Sequence, residues 1–121
     1  MRIISGRLGG RNFDSPRGHR THPMSEKARG AVFNSLGDIK DLTVLDAFAG
    51  SGALAFEAIS RGAKSAVAIE VDKTAHTVIK KNIATLKIEE QIETIRANAT
   101  AWSNRHPNAQ FDIVICDPPY D

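Results

Sequence analysis

Asp117-Pro118-Pro119-Tyr120 directly follows the apolar run Phe111 to Cys116, which puts a carboxylate, two prolines and an aromatic ring at the mouth of a buried strand. Each proline fixes φ near about −65° and removes a backbone donor, so the carbonyls there are rigid and free to accept hydrogen bonds. Such acceptors suit an exocyclic amino group, and a flat ring suits the heterocycle that carries it. Asp117, Pro118 and Tyr120 are therefore the candidate catalytic residues. Asp117 and the Pro118 carbonyl would take the two amino hydrogens, and Tyr120 would stack on the base.

A second constellation runs from Asp46 to Ala55 (Asp-Ala-Phe-Ala-Gly-Ser-Gly-Ala-Leu-Ala), after one apolar run and before a helical one. Glycines let a loop pass close to whatever lies over the strand ends. The spacing Gly50-x-Gly52-x-x-Ala55 also fits a dinucleotide fingerprint, and Glu70 at the end of the next strand would take ribose hydroxyls in either case. Asp46 discriminates: a carboxylate there repels a pyrophosphate but attracts the amino and sulfonium groups of S-adenosylmethionine. The cofactor set is Asp46, Phe48, Gly50, Ser51, Gly52 and Glu70. Asn98 and the Ala99 backbone N–H, just past the third strand, are placed to read an adenine edge. Asp72 reads as a helix N-cap rather than a ligand.

The elements that must carry these groups begin with a small β-hairpin predicted around Leu8-Gly9-Gly10-Arg11, followed by a loop over residues 14 to 24. Ser25 caps a helix whose Ala28, Ala31, Val32 and Leu36 share one face and which stops at Gly37. From Thr43 short apolar runs alternate with amphipathic ones, the signature of a parallel sheet wrapped by helices. Strands are predicted over Thr43 to Phe48, Ser65 to Glu70, Ile92 to Ala97 and Phe111 to Cys116. Helices are predicted from about Ala53 to Arg61, over the stretch where Ala75, Val78, Ile79, Asn82, Ile83 and Leu86 keep one face with Lys73, Lys80, Lys81 and Lys87 largely away from it, and from Ala99 to about Arg105. The fold class is α/β, a Rossmann-like sheet of four parallel strands within a single domain over residues 1 to 121. A doubly wound sheet usually has more strands, so the fourth predicts either self-association through an unpaired edge or truncation relative to a longer parent.

Charge is uneven. Residues 1 to 40 carry eight cations against three acids, and the remainder eight against eleven. A basic arm ahead of a mildly acidic body suits docking on phosphates beside a separate pocket, and Arg2, Arg7, Arg11, Arg20, Lys27 and Arg29 are the candidate phosphate contacts, which the resemblance given below would make contacts to RNA. No run approaches the roughly 18 to 20 apolar residues of a membrane helix, and Ser5-Gly6-Arg7 interrupts the N-terminus before a signal core could form, so a cytoplasmic location is expected. The single cysteine, Cys116, rules out an intramolecular disulfide, and its apolar setting predicts a buried, unreactive thiol. His19, His22, His76 and His106 lack metal spacing, and no metal is expected. Trp102 is expected to pack a short helix against the sheet.

The acidic glycine loop after strand one, the acid after strand two and Asp-Pro-Pro-Tyr after strand four resemble class I S-adenosylmethionine-dependent methyltransferases of exocyclic amino groups. Met1 to Gly6, Gly10-Arg11, Pro16-x-Gly18, His22 to Arg29, Phe33-Asn34 and Asp46 to Gly52 narrow the likeness to the RsmD family. That resemblance implies transfer of a methyl group to N2 of a guanine in bacterial small-subunit (16S) ribosomal RNA. The substrate would be ribosomal RNA or a small-subunit assembly particle, and the family pattern continues past the tetrapeptide with strands that complete the sheet. The readings it competes with are methylation of adenine N6 or a glutamine amide, a noncatalytic nucleic-acid-binding fragment and, third, a dehydrogenase.

Overall fold

The structure, a computed structural model, describes residues 1–16 and 24–118. Arg20, Pro119, Tyr120, His19 and His22 lie outside the described residues. In chain order the elements are α1 (Glu26–Leu36), β1 (Thr43–Asp46), α2 (Ala53–Ser60), β2 (Ser65–Ile69), α3 (Lys73–Leu86), β3 (Ile92–Ile95), α4 (Ala99–Arg105) and β4 (Ile113–Ile115). The sheet is ordered β3-β2-β1-β4, with all pairs parallel. After β3 the chain crosses back over β1, so strand order reverses between β1 and β4. A crevice opens beyond the strand ends at such a reversal, and there an α/β sheet holds its ligand.

Period-two alternation separates the two faces. Val44 aligns with Ala66 and Ile113, and Ala66 with Ile92; this row packs into the main core with Phe56, Ile59, Ile79, Ile83 and Leu86 of α2 and α3. Leu45, Val67 and Val114 face the other way, where α4 lies over part of the sheet beside a groove lined by Leu45, Ile69, Trp102, Phe111 and Val114. The helices start where side chains satisfy their first N–H groups: Ser25 accepts from Ala28, Asp72 from Ala75 and Asn98 from Ala101.

Every residue of α2 is buried, including Glu57 and Ser60, because the N-terminal arm wraps it. Ile4 and Ser5 donate their N–H groups to the Glu57 carboxylate at 2.9 and 3.1 Å, and Leu8 donates to Ser60 Oγ at 2.8 Å. Gly6 sits at φ 84°, and a Cβ there would overlap the Ser60 carbonyl oxygen, so glycine alone fits.

The expected N-terminal hairpin is present around the Arg2–Asn12 bridge: Met1 and Phe13 exchange backbone bonds at 3.0 and 2.9 Å, Ile3 donates to the Arg11 carbonyl at 2.9 Å and Gly10 to the Ile3 carbonyl at 2.8 Å, while the N–H groups of Ile4, Ser5 and Leu8 turn to α2. Two expectations change, the strand bounds and the setting of Cys116. All four strands are shorter than their apolar runs, ending at Asp46, Ile69, Ile95 and Ile115, and the fourth begins only at Ile113. Cys116 is exposed, not buried: among the described residues β4 pairs only with β1, and even Val114 within it is 59% exposed. Trp102 is half-buried and stacks on His106 at 4.5 Å, with Phe111 tilted at 6.3 Å. No helix is long and apolar enough to cross a membrane among the described residues.

Candidate active site

Asp46 closes β1 at the centre of the sheet, with Ala68 of β2 and Ile115 of β4 as its register partners. It is 0% exposed, and neither carboxylate oxygen has a hydrogen-bond partner. Burial pushes its pKa up to about 7. The nearby Phe48 N–H pulls downward against burial, and the carboxylates of Asp117 and Glu70 add smaller upward pushes. An unpaired carboxylate in a dry setting is costly unless neutralised by a proton or a cation.

The loop behind it is held by its own geometry. Gly52 precedes α2 at φ 84°, and a Cβ there would lie 2.7 Å from the Phe56 ring. Gly50, at φ 56°, faces open space within 4 Å. Ser51 is buried and its Oγ accepts from the Ala53 N–H at 3.2 Å, while Phe48 is half-buried. Gly52, the N-cap of α2, has no side chain to offer, so beyond the Ala53 N–H taken by Ser51 the first turn leaves backbone donors at the loop.

Glu70, one residue past β2, accepts from the Gly50 N–H at 2.7 Å and from the Asp72 N–H at 2.8 Å, tying the glycine loop to the start of α3. Each oxygen keeps further lone-pair capacity for a hydroxyl. The oxygen of Asn98 is spent on capping α4, which leaves its NH2 group and the neighbouring Ala99 N–H as what this corner can offer a ligand. Asp117 is half-buried and Pro118 exposed beyond β4. Asp46, Glu70 and Asp117 thus gather at one end of the sheet. Among the described residues no three His, Cys, Asp or Glu side chains are grouped to hold a metal ion.

Two residues of this region escape a reading from the sequence. Val71 follows Glu70 and is 61% exposed, an apolar surface beside that carboxylate in the chain; its signal was an apolar residue directly after a strand-end acid. Glu57, the lone acid in an otherwise apolar helix, receives Arg29 Nε at 3.3 Å and Arg61 Nε at 2.9 Å in addition to the arm.

The basic arm is divided. Arg29 is 1% exposed, paired with Glu57 and donating to the Arg2 carbonyl, so it supports the fold and is not open to an outside phosphate. Arg2 makes a two-point contact with Glu26, its nearest oxygen 2.8 Å away, and Lys27 is exposed. Arg7 donates to Gln91 Oε1 at 2.6 Å and Arg11 to the Thr85 carbonyl at 3.4 Å. These partners lie at the far end of α3 and just before β3, the end of the sheet opposite Asp46 and Asp117.

A family model described as conserved hypothetical protein 95 matches residues 1–121. The chain is 40% identical over 119 residues to ribosomal RNA small subunit methyltransferase D of Buchnera aphidicola subsp. Acyrthosiphon pisum, covering 98% of this chain and 62% of the relative. A tRNA1(Val) (adenine(37)-N6)-methyltransferase of Shewanella woodyi is 38% identical over 80 residues, covering 64% of this chain and 33% of that protein. A solved Escherichia coli structure, described as a proposed methyltransferase, yhhF, is similar with a TM-score of 0.85 at 38% identity, over 99% of this chain and 64% of that one. The chain therefore spans less than two thirds of the length of these relatives.

Proposed function

Because the chain belongs to the RsmD family, we propose that it forms the cofactor-binding part of an S-adenosylmethionine-dependent methyltransferase acting on the exocyclic N2 of a guanine in small-subunit ribosomal RNA. The observation that carries this reading is Asp46: a buried carboxylate without a partner, beside a glycine loop held by Glu70 and next to the Asp117 strand end. A cation fits there, and a pyrophosphate does not, which also disfavours the dinucleotide reading.

When bound, the cofactor supplies an electrophilic methyl on a sulfonium. Asp46 would balance its positive charge, the free lone pairs of Glu70 would accept the ribose hydroxyls, and Asn98 and the Ala99 N–H would hold the adenine, with the exposed Val71 as a neighbouring apolar surface. Phe48 and Ser51 shape the loop beneath. The amino lone pair of guanine is delocalised into its ring, so orientation must compensate. Asp117 and the Pro118 carbonyl hold the amino hydrogens, turning the nitrogen lone pair toward the methyl, and Asp117 takes the proton that becomes acidic after transfer. Tyr120, outside the described residues, stacks on the extruded base.

Arg2, Arg7, Arg11 and Lys27, with Arg20 outside the described residues, contact phosphates of the ribosomal RNA or of a small-subunit assembly particle in the cytoplasm. The open side of β4 serves either self-association or pairing with further strands of a longer parent, and light scattering that returns only monomer would remove the first role. The tRNA methyltransferase relative favours a second reading, adenine N6 as the acceptor. Incubating the protein with radiolabelled cofactor and small-subunit RNA, then digesting to nucleosides, separates the readings. N2-methylguanosine supports the first and N6-methyladenosine the second. Cofactor binding without transfer supports a fragment that binds but does not catalyse.

A further inference from the structure

Among the described residues two buried ionisable side chains have atoms without hydrogen-bond partners, Arg29 and Asp46, and they differ in what balances them. Arg29 lies 3.3 Å from the Glu57 carboxylate. Asp46 faces only charge of its own sign. Its register partners are Ala68 and Ile115, and two residues beyond each of these stand Glu70 and Asp117. Of the helices, α2 packs on β1, and its one charged residue, Glu57, is held by Arg29, Arg61 and the arm. Among the described residues no cation reaches Asp46.

Resting on the cofactor reading above, we infer that Asp46 carries a proton while the pocket lacks a cationic ligand and releases it when S-adenosylmethionine enters. Cofactor binding and proton release are then one event. The O–H bond of the carboxyl breaks, its electron pair stays on the carboxylate, the proton passes to buffer, and the positive charge of the ligand takes its place. The pocket gains no net charge, which is why a dry carboxylate is tolerable in both states. The proton affinity of Asp46 lies near neutrality, so both forms are populated at ordinary pH. Below about pH 7 the affinity for cofactor should weaken by up to about tenfold per pH unit, and above it should level off.

Calorimetric titration of the chain with S-adenosylmethionine in two buffers of different ionisation enthalpy tests this at pH 6.0 and pH 7.5. The expected result is heat that depends on the buffer, reporting release of most of one proton at the lower pH and clearly less at the higher. Asp46→Asn should bind more weakly, with a buffer-dependence close to zero. Buffer-independent heat for the unaltered protein, or an Asp46→Asn variant that releases as many protons, would overturn the inference while leaving the cofactor reading intact. If that variant does not fold, the comparison of the unaltered protein at two pH values still decides. Absence of any binding at pH 7.5 would remove the cofactor reading, and this inference with it.

Discussion

Gly50 donates its backbone N–H to Glu70 at 2.7 Å, so the carboxylate proposed to receive the cofactor's ribose already fastens the loop that must pass beneath it. One side chain serves preorganisation and binding together.

Glu70→Ala should therefore cost more than the ribose bonds alone. Hydrogen bonds to a charged acceptor contribute about 1.5 to 3 kcal/mol each, so losing the diol contacts and the loop tether should weaken S-adenosylhomocysteine by at least about a hundredfold. Glu70→Gln keeps an acceptor oxygen and should lose less. Equal calorimetric affinities for the unaltered and Ala proteins would reject the assignment.

The raised proton affinity of Asp46 also makes a statement about stability. Its folded pKa of about 7 lies above the ordinary 3.8, so the native state holds the extra proton. The associated stability is fully present below about pH 4 and is lost as pH rises through about 7. Relative to Asp46→Asn, the ligand-free protein should lose stability between pH 5 and pH 8, with about 4 kcal/mol as the ceiling set by linkage. Urea unfolding of both proteins at the two pH values checks it. A difference that stays constant with pH would mean that Asp46 is charged in both states.

Much of this arrangement was legible in the chain. Ser25 and Asp72 announced their helices through capping, and Asp46, the glycines and Glu70 lie together at strand ends because loops that follow parallel strands emerge on one side. What could not be read depended on packing between distant segments. Arg29 and Lys27 are both cations in the same amphipathic stretch, but Glu57 from α2 lies under Arg29 and nothing covers Lys27. Ala47 and Phe48 continue the apolar pattern of β1 beyond its last ladder pairs, which are made by Asp46, so periodicity overran the strand. Cys116 looked buried for the same reason: an apolar run does not say whether a neighbouring strand covers it.

Arg29→Ala provides the contrast. Removing one partner of a buried ion pair leaves the other charge without compensation, which typically costs 3 to 5 kcal/mol, or about that here. Glu57 retains Arg61 and two arm N–H groups, so the loss should fall at the lower end. Lys27→Ala on the exposed surface should change stability by less than about 0.5 kcal/mol. Comparable denaturant midpoints for the two variants would contradict the buried position of Arg29.

Asp117→Ala should abolish methyl transfer with S-adenosylhomocysteine affinity nearly unchanged, since Asp117 stands beyond β4 while the glycine loop is fixed by β1 and β2. Unchanged turnover would discard its role in holding the amino group. A large loss of cofactor affinity would instead make it part of the cofactor pocket.

Arg7 and Arg11 reach neutral acceptors, Gln91 and the Thr85 carbonyl, so their charge is left for phosphates, but they lie at the end of the sheet away from Asp117. The eight residues of α2 alone separate its two ends by about 12 Å. Contacts at that distance anchor RNA without touching the reacting guanine. Replacing both arginines by glutamine should weaken RNA binding and flatten its dependence on salt by about 1.4 in log–log slope, at roughly 0.7 per phosphate on single strands. Turnover at saturating RNA should stay the same, because the acceptor's orientation is set at the Asp117 corner. Filter binding across salt concentrations, paired with kcat at saturating RNA, distinguishes the cases. An unaltered salt slope would reduce Arg7 and Arg11 to staples of the arm. A fall in kcat with unchanged affinity would mean that the arm positions the guanine directly.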